Sequence, residues 1–513
     1  MTTVTETPDR PSGTTTTDTP VQPHGGPAGG PPTQRSRRTR RWIEDWHPED
    51  PAFWATTGRP IARRNLVWSI LAEHIGFSVW FLWSMSTGLL AAVGFGYDAE
   101  QLFILTSVSS GVGALLRVPY TFAVPVFGGR NWTVISALLL LVPTVMFVVA
   151  VQDPTTPYSV MVMIAALSGF GGGNFASSMA NINAFYPASE KGTALGLNAA
   201  GGNIGVAVVQ LILPIVVGAG GLWGLVKGAE TIELSRIGYV YIGLSLLAAA
   251  GAYFFMDNLA GAQTRVSETA TILRQKQTWI MSFLYVGTFG SFIGYSGAFG
   301  LLIQLYFSGT FDGAFSGYKF AYYAFLGATV GSICRPIGGR IADRIGGAKV
   351  TLAVFVLQAL GTLGVLYAVY QLEPATSPEA VAANGEFFGL FLATFLFVFA
   401  MTGFGNGSTF KMIPAIWRTR AEQDTPEGGG ARMEALRKRA LEASAAVGIV
   451  SAVGAFGGFV IPMMFAAPWV AADAKLGAVQ LAFWTFTAYY VACAVVTYAC
   501  YLRKGTALAE ANV

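Results

Sequence analysis

Arg117 and Arg335 stand where arginine is costly. Each lies inside a long apolar run, a few residues past its middle, with no acidic residue within several positions on its own run. An arginine at such a depth costs roughly 3 kcal/mol on insertion scales. A single one is often structural, snorkelling to an interface or bonding carbonyls freed by a proline, and Pro119 and Pro336 are close by. Two in matching places argue instead for a ligand. Guanidinium is planar, permanently charged and presents a fork of donors that suits a small planar oxyanion. With no acid near either arginine in sequence, a site formed by the two reads as net positive. Moving it empty would keep two uncompensated charges in low dielectric, which favours exchange of one anion for another.

The remaining candidates are weaker. Glu73 and His74 are ionisable residues within an apolar run and are candidates for proton coupling, although structural pairing is the commoner role. Lys411 is a further cation at similar depth, and Asn174, Asn181, Asn203 and Asn406 are amides that either bond neighbouring helices or line a pathway. Phe175, Tyr295 and Phe299 are aromatics within the runs, and taken singly such residues more often face lipid or core. Glycine concentrates around Gly169–Gly173, Gly201–Gly205, Gly403–Gly407 and Gly448–Gly458, and close helix packing is the plain reading of most of these. No Gly-Lys-Ser/Thr follows any of them, so a phosphate-cradling loop is excluded. The stretch from Gly338 to Gly346, with Arg340, Asp343 and Arg344, reads as a charged loop suited to a conformational latch.

Cys334, Cys493 and Cys500 lack metal-ligand spacing, and His24, His47 and His74 are scattered, so neither a metal site nor a disulfide framework is expected. No cofactor or catalytic constellation appears, and basic residues do not alternate with aromatics as in a nucleic-acid surface. An enzyme is therefore not expected, nor a nucleic-acid partner.

What must position the arginines is a set of membrane helices. Of 513 residues, 53% are hydrophobic and 12% charged, and mean hydropathy is +0.51. A soluble domain carries about 25% charged residues, so this chain cannot cover a soluble surface. Twelve runs are long enough to cross about 30 Å of hydrocarbon as helices. They lie near 66–93, 101–127, 132–151, 158–186, 192–218, 236–257, 278–308, 319–342, 348–371, 387–416, 443–467 and 476–502. Basic residues crowd alternate loops, which places both termini on the cytoplasmic side of a multi-pass protein of the cytoplasmic (inner) membrane. Residues 1–60 read as a disordered, cytoplasmic amino-terminal segment, 61–257 as one six-helix half, 258–277 as a cytoplasmic linker, 278–505 as the second half and 506–513 as a tail. The halves share a pattern: Gly113 to Pro119 resembles Gly331 to Pro336, and Gly169 to Asn174 echoes Gly403 to Gly407. Two parallel six-helix repeats are the organisation of secondary transporters.

Seven strings in order carry a resemblance to a known family: Ala72–Trp80, Arg117–Pro125, Gly172–Met179, Leu197–Gly205, Gly290–Ser296, Gly405–Pro414 and Gly448–Gly458. Across roughly residues 60–505 the sequence resembles the nitrate/nitrite porter family (NarK-type) of the major facilitator superfamily; the first 60 residues lie outside the resemblance. The resemblance implies an all-α membrane protein of twelve transmembrane helices in two pseudo-symmetric halves. It implies that Arg117 and Arg335 bind the anion, with Asn203, Tyr295, Phe175 and Phe299 around it. It places helix-packing and gating roles on Gly202, Gly205, Gly454, Gly457 and Gly458. Nitrate and nitrite would be the partners, serving nitrate assimilation, with no cofactor and with the chain working in the bilayer as a monomer. Three modes remain in competition: nitrate/nitrite antiport, nitrate/proton symport with Glu73 and His74 as carriers, and organophosphate/phosphate antiport. The last needs an additional cation, for which Lys411 is the spare candidate.

Overall fold

A computed structural model describes residues 42–260, 271–311, 314–424, 430–470, 475–505, 507–511 and 513. Eleven helical segments among them are long and apolar enough to cross a membrane. In chain order these are α1 (Pro51–Leu89), α2 (Ala99–Phe127), α3 (Gly129–Ala150), α4 (Tyr158–Phe185), α5 (Ala188–Val216), α6 (Ser235–Phe255) and α7 (Lys276–Phe307). After α8, described next, come α9 (Gly347–Tyr370), α10 (Phe388–Gln423), α11 (Ala445–Ala466) and α12 (Lys475–Leu502). The helix α8 (Ala324–Ile345) completes the expected set of twelve. It falls short on composition alone, because Arg335, Arg340, Asp343 and Arg344 all lie on it. The stretch expected as a charged loop is thus the last turns of α8, and the chain turns sharply only at Gly346, whose φ is 99°.

In hydrocarbon every backbone polar group must be satisfied within its segment, so these apolar runs fold as helices. Their starts and irregularities are legible in the residues. Asp98 opens α2 with a reciprocal cap: its side chain accepts from the Gln101 amide at 2.8 Å, and the Gln101 side chain accepts from the Asp98 amide at 3.1 Å. Pro119 and Pro125 lie inside α2, and Pro336 lies inside α8, one residue after Arg335. In α7 a π-helical turn at Val286–Gly290 interrupts the α-helix, and such turns are frequent at functional sites.

The halves meet chiefly along α1 against α7, α2 against α11, and α5 against α8. Glycine sets the closeness of several crossings. A Cβ at Gly457 of α11 would run into the backbone of Gly290 on α7, and one at Gly171 of α4 into the backbone of Gly76 on α1.

The amino-terminal expectation needs correction in part. Residues 1–41, and 261–270 of the expected linker, lie outside the described residues, as do 506 and 512 of the tail. Residues 42–60 are structured. Strand β1 (Trp42–Ile43) pairs in parallel with β2 (Asn258–Leu259), and Asn258 also accepts from the Arg130 amide at 2.9 Å. Trp54 donates to Glu190 at 3.0 Å, and Glu49 accepts from the Ala188 amide at 2.9 Å. The tryptophans explain the order: Trp46 packs edge-on to Phe185 and Trp54 to Tyr186, enough apolar surface to offset the chain entropy of the segment.

Candidate functional site

Both arginines are buried, Arg117 at 0% and Arg335 at 5% exposure, and neither forms an ion pair among the described residues. Each reaches into the opposite half. Arg117 donates from Nη1 to the Ser451 carbonyl of α11 at 3.1 Å, and from Nε to the Gly172 carbonyl of α4 at 3.1 Å. Arg335 donates from Nη1 to the Ala199 carbonyl of α5 at 3.2 Å. These bonds are reciprocal across the interface, as the repeat requires. They leave Arg117 Nη2 buried with no hydrogen-bond partner among the described residues. A buried donor without a partner costs free energy unless a ligand satisfies it.

Aromatic rings wall the pair. The Arg117 guanidinium carbon lies 4.7 Å from the Phe175 ring, 4.9 Å from Phe289, 5.5 Å from Trp80 and 5.7 Å from Phe77. That of Arg335 lies 6.0 Å from Phe175 and 5.6 Å from Phe410. Phe175 therefore touches both cations, and it stacks on Phe289 with centroids 6.1 Å apart. Such faces hold a guanidinium by its quadrupole while offering a weakly hydrated anion an apolar wall. Tyr285 stacks on Phe289, donates to Asn406 Oδ1 at 2.9 Å, and interacts electrostatically with both arginines.

The two seventh-span residues singled out from sequence lie elsewhere. Tyr295 shares a 2.7 Å hydroxyl hydrogen bond with Tyr490 of α12, and its ring packs against Phe395, Phe399 and Phe486. Phe299 packs on Phe391, Phe395 and Phe399 of α10. Both belong to an aromatic core inside the second half. The residues of α7 beside the arginines are Tyr285 and Phe289, which have the same four-residue spacing and lie about 15 Å lower on the helix axis.

Asn203 is buried at 1% exposure with both side-chain polar atoms unpartnered among the described residues, as are both of Asn174. Asn406 carries one such atom, Nδ2. Gly202 backs onto Glu73 and Gly205 onto the His74 carbonyl. Gly454 faces the Tyr285 ring, Gly457 the backbone of Gly290, and Gly458 both Ile293 of α7 and Ser110 of α2. His74 turns its Nδ1 to the Gly201 carbonyl at 3.2 Å. Lys411 pairs with Asp343 at 2.9 Å and is thereby committed away from the arginines.

Glu73 corrects the expectation of an acid-free site. It is distant from both arginines in sequence, yet α1 packs against α4 and α5 so that its buried carboxylate interacts electrostatically with Arg335 and Arg117. It accepts from Asn198 at 2.6 Å and from the Ser178 hydroxyl. Tyr285, Phe289, Phe77, Ser178 and Asn198 were not singled out from sequence. The Ser178 and Asn198 contacts arise only when three helices meet.

The Major Facilitator Superfamily pattern matches residues 74–424. The chain is 37% identical over 477 residues to the nitrate/nitrite transporter NarU of Escherichia coli (strain K12), covering 92% of this chain and 98% of that protein. It is 36% identical over 389 residues to the probable nitrate/nitrite antiporter NarK2 of Thermus thermophilus, covering 74% and 84% respectively. Among solved structures, the crystal structure of a D-xylose–proton symporter superposes with a TM-score of 0.58 at 13% identity, covering 85% of this chain and 97% of that one.

Proposed function

The chain belongs to the major facilitator superfamily, among its NarK-type nitrate/nitrite transporters, and from that premise we propose how this site works. It is a multi-pass membrane transporter of nitrate and nitrite, and a transporter rather than an enzyme. Arg117 and Arg335 bind the anion between Phe175 and Phe289, with Tyr285 and Asn203 as further polar contacts. The observation that carries this assignment is a buried guanidinium pair without an ion-pair partner among the described residues, each arginine tied to a carbonyl of the opposite half. An anion seated there competes for those donors, so binding and release are coupled to the contact between halves. The halves 61–257 and 278–505 rock about the site, with both termini cytoplasmic and one chain sufficient.

The arginine pair by itself supports exchange of nitrate for nitrite, in which only loaded carriers cross. Nitrate uptake with a proton is favoured by one observation: the buried Glu73 carboxylate accepts from Asn198, the residue next to the Ala199 carbonyl that Arg335 holds. Purified protein in liposomes loaded with nitrite distinguishes them. Uptake of labelled nitrate that needs internal nitrite and ignores an imposed proton gradient establishes pure exchange. Gradient-driven uptake into nitrite-free vesicles excludes it.

A further inference from the structure

The structure assigns Glu73 to the transport cycle as an internal counter-anion, the group that takes the place of substrate charge when the site is empty. The inference rests on the arginine pair being the anion site. Glu73 is a carboxylate at 1% exposure on α1, without an ion-pair partner of its own among the described residues. Its Oε2 accepts from Ser178 of α4 and Asn198 of α5, while Oε1 has no hydrogen-bond partner and abuts Gly202. Both donors lead to the arginines: Arg335 holds the carbonyl of Ala199, next to Asn198, and Ser178 also bonds the carbonyl of Phe175, whose ring lies 4.7 Å from the Arg117 guanidinium and 6.0 Å from that of Arg335. His74, next to it in the chain, faces Gly201 instead.

Two guanidiniums and one carboxylate leave the empty site with a single positive charge. When a monoanion enters and a proton joins the Glu73 carboxylate, the site again carries a single positive charge. The two travelling forms are thus electrostatically matched, so neither the loaded nor the empty carrier is penalised relative to the other in low dielectric. The anion and the carboxylate also draw on the same positive charge, so filling the site favours neutralising Glu73, which is the linkage a symporter needs. The proton is taken up from the side on which the anion enters and released on the side where it leaves. No other group changes its protonation. Glutamine at this position keeps size and hydrogen bonding but fixes the neutral form. The empty carrier then holds two uncompensated charges and cannot return, whereas loaded carriers still exchange.

The test compares wild type and Glu73→Gln in sealed liposomes by two readouts, nitrate/nitrite counterflow and net nitrate uptake driven by an acid exterior. The expected result is proton-driven net uptake in wild type that falls at least tenfold in Glu73→Gln, with counterflow kept within about threefold. Three results overturn the inference: wild type without proton-driven uptake, Glu73→Gln with proton-driven uptake intact, or Glu73→Gln that loses counterflow as well. An Arg117→Ala variant with full counterflow would show instead that the anion-site reading itself has failed.

Discussion

At the scale of single residues, the side chains divide by whether a substitution removes a donor, a wall or a packing contact. Arg117 makes two bonds to carbonyls of different helices and keeps Nη2 without a hydrogen-bond partner among the described residues. Lysine offers a point charge in place of a fork and cannot make these contacts together. Arg117→Lys should therefore reduce nitrate/nitrite counterflow by about 100-fold despite the conserved charge, and a loss below about threefold would show that the fork is not used. The two tyrosines of α7 give a sharper contrast. Removing the Tyr285 hydroxyl takes away a polar group beside both arginines, so Tyr285→Phe should raise the KM for nitrate by about tenfold, the usual value of one buried hydrogen bond. Tyr295→Phe breaks its bond to Tyr490, inside the second half, and should change the KM by less than about twofold while lowering stability. Equal KM effects would contradict the placement of the site. Sequence exposed the arginines because charge in an apolar run is conspicuous. The resemblance implied Tyr295 and Phe299, whereas Tyr285 and Phe289 have the same spacing in the same apolar run, and only depth separates the two pairs.

At the scale of elements, the spans were legible because hydrocarbon leaves a long apolar run no option but a helix. Two local features were not. The π turn at Val286–Gly290 leaves no residue signature beyond two glycines, yet it lies directly between Tyr285 and the next α-helical turn. The order of residues 42–60 depends on Trp46 and Trp54 finding Phe185 and Tyr186, which are far away in the chain. Glycine runs were visible, but not which residue each one faces. Gly457 meets the backbone of Gly290 at the α7–α11 crossing, whereas nothing lies within 4 Å of a Cβ at Gly477 on α12. Gly457→Ala should overpack that crossing and lower the Tm of the purified protein by about 3 °C or more, with Gly477→Ala near wild type. Thermal unfolding of both variants in the same detergent checks this, and an unchanged Gly457→Ala would mean that α7 and α11 have room to separate.

At the scale of the whole molecule, function depends on contacts that must form and break between halves. One of them is well defined: Lys475 of α12 pairs with Glu100 in the first turn of α2 at 2.9 Å and also donates to the carbonyls of Ala466 and Ala467 at the end of α11. Glu100 sits at the amino terminus of α2, where negative charge is favoured, and Lys475 brings its ammonium to the carboxyl end of α11. The pair is partly exposed and worth at most about 1 kcal/mol. Glu100→Gln should thus change the maximal counterflow rate by no more than about fivefold and leave the KM for nitrate unaltered; a changed KM would place the pair at the site rather than at a contact between halves. No single run of sequence announced this contact, because its partners lie at opposite ends of the chain. The central claim is that the anion is held jointly by one arginine from each half. Its most direct measurement is labelled-nitrate counterflow into nitrite-loaded liposomes for wild type, Arg117→Ala and Arg335→Ala. The account predicts that each single variant falls to the level of protein-free vesicles; counterflow above about one tenth of wild type in either variant would contradict it.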